Sequence, residues 1–174
     1  MREWIPISTS PKGRLALAAV REFGSRTFEE VTVGELAASA GVTTGALYHH
    51  FESKLGLYRF VRVDVERRLL DRMEGAVAAS RERPTSEAIM AALVIGFDFS
   101  IEHGFQRLLG EEPPGTQDDA LVELLGRISR PAPPPMGRLL TAVWRAALLS
   151  VADGIGVDQA REVLRSLRVI PVAD

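Results

Sequence analysis

Between Thr43 and Lys54 the chain gathers hydroxyl, phenol, imidazole and ammonium groups in one short run, TTGALYHHFESK. All of these groups donate hydrogen bonds. None stands at a spacing that makes a nucleophile, a general acid–base pair or a metal site. Two adjacent histidines on a helix, His49 and His50, point about 100° apart and are poor partners for one metal ion. With Thr43 as N-cap, a helix through Phe51 would pack on Ala46, Leu47 and Phe51 and show Thr44, Tyr48, His49 and His50 on its polar side. Just before it, Leu36, Ala37 and Ala40 line one side of another short helix, and Gly41 supplies a turn residue tolerant of positive φ. Two short helices joined by a glycine turn make a helix-turn-helix. Small donors then sit at the start of the second helix, and larger ones farther along it can meet phosphates.

Other elements must hold that unit in place. Strand signals are absent, and apolar residues recur at three and four, so the chain reads as all-α with about nine helices. Ser10-Pro11 starts a helix toward Phe23 with Leu15, Ala19 and Phe23 on one stripe, and Gly24 ends it. Thr32 caps the next helix, which Gly34 weakens near its start. Leu57, Val61, Val65, Leu69, Met73 and Val77 repeat every fourth residue. They predict a rod from Glu52 or Ser53 to Ser80, about 40 Å long. Arg83-Pro84 ends it. Ser86 caps an apolar helix to His103, a short segment covers Phe105 to Leu109, and Asp118 to Ile128 forms another helix. Pro131 to Pro135 is a proline-rich stiff connector. Helices Gly137–Ala152 and Asp158–Leu167 follow, and Pro171 ends regular structure.

The last two helices are apolar on more than one face. Leu139, Leu140, Val143, Trp144, Ala147, Leu148 and Val151 exceed one narrow stripe, and Ile155, Val157, Val163, Leu164 and Leu167 continue the pattern. A helix apolar on two sides must be buried on two sides, in a dimer or at the centre of a monomer.

Composition narrows the function classes. The 174 residues carry a formal net charge of −2 and no cysteine. Residues 1–60 hold seven Lys and Arg against six Asp and Glu; the remainder holds 14 against 17. Any affinity for nucleic acid must therefore come from placed donors, not bulk charge. Disulfides and thiolate metal sites are excluded. No phosphate-binding glycine loop, zinc spacing or nucleophile elbow appears, so neither an enzyme, a cofactor nor a metal is expected. No secretory signal or membrane-length apolar run is visible, and a cytoplasmic protein is the default expectation.

From Arg14 to Leu57 the sequence resembles the DNA-binding region of the TetR family of transcriptional regulators. The ordered run GVTTGALYHHFESK carries the resemblance, with Leu15, Ala19, Phe23, Phe28, Thr32, Val33, Leu36 and Ala37 before it. Thr27 stands where the family usually has glycine, and Leu55 where it usually has glutamate. The resemblance implies a three-helix head over residues 1–53, joined by the long helix to a helical ligand-binding and dimerisation body over 54–174. It implies that Thr43, Thr44 and Gly45 open the recognition helix, with Thr44 at base edges. Tyr48 and His50 would donate to phosphates, His49 would face the groove or backbone, Lys54 would clamp a phosphate, and Thr32 would add another contact. It further implies an effector pocket, with Phe97, Asp98, Ile101, Phe105, Leu109 and Trp144 as candidate walls. The final helix pair would form a four-helix bundle with a second copy through Leu140, Val143, Ala147, Leu148, Val151, Val163, Leu164 and Leu167. The function so implied is repression at a palindromic double-stranded operator, relieved by a small apolar or amphipathic effector. The alternative is a helical scaffold that keeps the head fold without specific DNA binding.

Overall fold

A computed structural model describes residues 9–114, 119–130, 132 and 135–167. Among them are nine α-helices and no strand. The head comprises α1 (Pro11–Ser25), α2 (Val33–Ala40) and α3 (Thr44–Phe51). The rod is α4 (Lys54–Ala79), followed by α5 (Thr85–Glu102), α6 (Gln106–Gly110), α7 (Ala120–Ile128), α8 (Pro135–Ala152) and α9 (Val157–Ser166).

Helix starts in the head follow short polar side chains. Ser10 accepts from the Gly13 amide at 3.0 Å, and Pro11 occupies a first-turn position where its missing N–H costs nothing. Thr32 and Glu35 form a reciprocal capping box at α2. Gly41, at φ 63°, ends α2 in the left-handed region, and Thr43 caps α3 through the Ala46 amide at 3.3 Å. Between α3 and α4 the chain turns at Glu52, a non-glycine residue at φ 65°, and Ser53 caps α4 through the Gly56 amide.

The 26 residues of α4 give a rod of about 39 Å. It buries Leu57, Val61, Val65, Leu69 and Met73 along one side. These residues belong to one contiguous core that runs from Leu15 and Phe23 in α1 through Phe97 and Leu109 to Trp144 and Leu164. The head is therefore not a separate globule.

Some sequence expectations shift. Gly24 does not end α1, which continues to Ser25. Gly24 instead permits contact: a Cβ there would lie 2.1 Å from the Gly104 carbonyl oxygen, so α1 rests against the turn after α5. Ser86 does not cap α5. The cap position lies two residues earlier, at Pro84, and the helix opens at Thr85 without a side-chain cap. The helix expected from Asp118 begins at Ala120, with Asp119 as its cap, accepting from the Leu121 and Val122 amides at 3.1 and 3.4 Å. Of the proline-rich connector, Pro135 is the first residue of α8, while Pro131, Pro133 and Pro134 lie outside the described residues, as do Asp118 and Pro171.

Candidate nucleic-acid interface

Leu47 and Phe51 turn the packing side of α3 into the core. This fixes which residues remain outside. Thr43, Thr44, Gly45 and His49 are exposed, Tyr48 is 53% exposed and His50 is half-buried. The His49 and His50 rings lie 5.0 Å apart, edge to face. Five of the expected contact residues thus share one open surface with the edge of a sixth. The helix presents its N-terminal turn and its donors to whatever docks there, and nothing beside Gly45 blocks a close approach.

Two expected phosphate contacts sit differently. The Lys54 ammonium donates to the Phe28 and Val31 carbonyls at 2.7 and 2.9 Å and lies 4.1 Å from the centre of the Phe28 ring. It ties α4 to the α1–α2 loop, so its place is structural and a phosphate-clamp role has no geometric support. The Thr32 hydroxyl donates to Glu35 Oε2 at 2.7 Å and accepts from the Glu35 amide at 3.2 Å. Its one O–H donor is spent on that carboxylate, which stands where a phosphate would have to come. Two hydrogen bonds from Thr32, then the Arg26 guanidinium, hold the Glu35 carboxyl down at about 2.

Arg14 was not singled out by sequence. Its Nε donates to the Ala40 carbonyl at 3.0 Å and its Nη1 to the Thr9 carbonyl at 2.7 Å, so α1 holds the end of α2 just before the turn. Only the pairing of an arginine in α1 with an orphan helix-end carbonyl explains it, and no local pattern reveals such a pairing. Lys12 likewise lies 5.0 Å from the Phe60 ring and 5.7 Å from Phe51, bringing a cation beside the end of α3.

In the body, the expected pocket residues are packed rather than open. Phe97 and Trp144 are fully buried, Phe105 and Leu109 nearly so, and Ile101 packs against the same core. The Trp144 indole donates to the Leu93 carbonyl at 3.1 Å. Asp98 pairs with Arg161 of α9 at 2.7 Å and is turned to the rim. Phe97, Phe105, Leu109 and Trp144 belong to the core, with Ile101 packed on it, where α5 meets α8.

The expected dimer residues divide into two sets. Leu140, Leu148 and Leu164 are buried in their own chain; Ala147, Val151 and Leu167 are half-covered by the same core. Val143 and Val163 are exposed at 39% and 61%, and Leu139 and Ile155, which were not assigned to the interface, join them at 60% and 45%. No helix among the described residues is long and apolar enough to cross a membrane.

Comparison with known proteins agrees with this architecture. Residues 16–60 match the family model for bacterial regulatory proteins of the tetR family. The chain is 32% identical over 117 residues to the HTH-type transcriptional activator FasR of Mycolicibacterium smegmatis, covering 65% of this chain and 51% of that protein. It is 43% identical over 47 residues to the HTH-type transcriptional repressor BepR of Brucella suis biovar 1, covering 27% of this chain and 22% of that one. The chain thus spans about half or less of the length of these curated relatives. A crystal structure from Shewanella sp. PV-4 assigned to the tetR family superposes with a TM-score of 0.66 at 21% identity, over 89% of this chain and 94% of the other, which is a likeness of fold. Residues 16–60 are thus similar to the helix-turn-helix segment of bacterial regulatory proteins of the tetR family, and the chain as a whole shares the fold of tetR-family structures.

Proposed function

We propose that the protein is a homodimer that binds a roughly palindromic double-stranded DNA site with one α3 helix per half-site, in the cytoplasm. The carrying observation is the surface of α3: Thr43, Thr44, Gly45, Tyr48 and His49 open to solvent while Leu47 and Phe51 anchor the helix. Thr44 contacts base edges, Gly45 lets the backbone approach, and Tyr48, His49 and His50 meet phosphates. One short helix supplies little specificity, so two copies are needed. Leu139 and Val143 of α8 with Val163 of α9 offer the apolar face for a second copy. A dimer seated on its operator excludes whatever overlaps that site, so repression is the direct output. Relief comes from an effector that prefers a second arrangement of the heads; equal affinity for both arrangements would shift nothing.

Selection of bound sequences from a random DNA pool tests this reading. A symmetric consensus is the expected result. The scaffold alternative requires that no sequence be enriched and that no salt-dependent DNA binding be detected.

A further inference from the structure

Two arginines in the body are buried without full use of their donors. Arg62 of α4 is 3% exposed and Arg145 of α8 is 7% exposed. Arg62 Nη1 donates to the Tyr58 hydroxyl at 2.9 Å and to the Leu108 carbonyl. Arg145 Nη1 meets Asp119 Oδ2 at 2.8 Å. On both residues Nε and Nη2 have no hydrogen-bond partner among the described residues. A buried guanidinium with unpaired N–H groups costs free energy and calls for an explanation, such as a bound water, ion or ligand.

The neighbouring acids do not supply the missing partners. Asp119 spends Oδ1 on the α7 amides and Oδ2 on Arg145. Glu66 faces Arg62, Arg145 and Asp119, and burial pushes its carboxyl above the ordinary value, toward the neutral form. Glu112 and the exposed Arg138 stand opposite each other in charge at the rim.

Both arginines line open space. A cleft of about 360 Å³ runs past Arg145, Thr141, Val122 and Ala142, and a smaller one of about 60 Å³ past Arg62, Tyr58 and Val63. The two meet at Pro113 and Asp119. The larger volume is within the usual range for a small-molecule site, about 300–1,000 Å³, and the walls mix aliphatic groups with a few polar ones.

We propose that this cleft binds the carboxylate of a small organic acid between Arg62 and Arg145, with the apolar part of the acid against Val63, Val122 and Ala142. The proposal rests on the regulator reading above and names the chemical class of its effector. Guanidinium groups suit it because their forked donors match a carboxylate's two oxygens. Arg62 is eight residues into the rod that begins at Lys54, about 12 Å along it from that first residue. A guest that pulls on Arg62 therefore acts on the helix that carries the head.

Calorimetric titration of the full chain, without DNA, tests it. The probes are benzoate, cinnamate and octanoate, their primary amides, and inorganic phosphate. At least one acid is expected to bind saturably, with its amide weaker by about tenfold or more, since a charge-assisted pair is lost. Arg62→Gln and Arg145→Gln should each lower the affinity of that acid by a similar factor. Should either variant melt early and fail to fold, the acid-against-amide comparison on the unaltered protein decides alone. Equal binding of acid and amide, binding of phosphate only, or no binding of any acid would each overturn the proposal. Because no DNA is present, these outcomes are independent of the operator selection, and either reading can fail without the other.

Discussion

Lys54 caps two carbonyls of the α1–α2 loop with one ammonium. Lys54→Met keeps the aliphatic stem over Phe28 and strips both hydrogen bonds, at an expected cost of about 2 kcal/mol. For a chain of this size that lowers Tm by about 4–8 °C. Thermal unfolding followed by circular dichroism reads it; an unchanged Tm would return Lys54 to the list of DNA contacts. Tyr48→Phe is the converse case. The ring is half out of the fold already, so Tm should hold. Affinity for all DNA sequences should fall, and the slope of log affinity against log salt should flatten by about 0.9, one phosphate's worth. Glu35 gives a pH test. Its carboxyl titrates at about 2 in the fold against an ordinary 4.5, so its stabilisation is complete above about 4.5 and disappears as pH falls toward 2. Glu35→Gln should reduce the acid sensitivity of Tm in that window and leave its slope above pH 5 unaltered. Sequence revealed the residues that face outward on α3, because N-cap, turn and packing positions leave few alternatives for the rest. It could not reveal where the long flexible arms of Lys54 and Arg14 end, since the partners that tie them to other elements lie 23 to 26 residues away.

Among the elements, α1 and the turn after α5 meet without a side chain between them. Gly24→Ala sets a methyl group against the Gly104 carbonyl, and backbone must move. Overpacking of this kind costs about 1–3 kcal/mol. A calorimetric melt should show the loss, and a Tm equal to the original would mean that the contact is soft. Helix periodicity recovered nearly every element here, because four-residue apolar spacing survives whatever packs on it. Where helices start was less readable: Ser86 looks like a cap, yet Pro84 already fixes the turn. The expected pocket walls are ambiguous for a related reason. Phe97 and Trp144 carry the size and aromaticity that either a core or a cavity wall would use, and only the packing of α5 on α8 distinguishes these uses.

For the whole molecule, the second apolar face of α8 matters most. Val143→Glu should leave the monomer folded and shift sedimentation at micromolar concentration from dimer to monomer. Leu148→Glu should unfold the chain, because that residue is fully covered by its own core. Monomeric sedimentation of the unaltered protein would refute both the dimer and the palindrome. Sequence could tell that this helix had too many apolar residues for one face, but not which of them each face takes; that assignment depends on the rotation of α8 against α6 and α7.

The sharing of α4 has a practical corollary for exchange of parts between regulators. Leu57, Tyr58 and Val61 complete the core around Phe23 and Phe28 while standing on the helix that continues to Ala79. A chimera joined at Ser53 would leave the transplanted head without its floor. A seam placed after Val65 would carry that floor along, though it would also transfer Arg62, and with it part of whatever chemistry the donor's body senses.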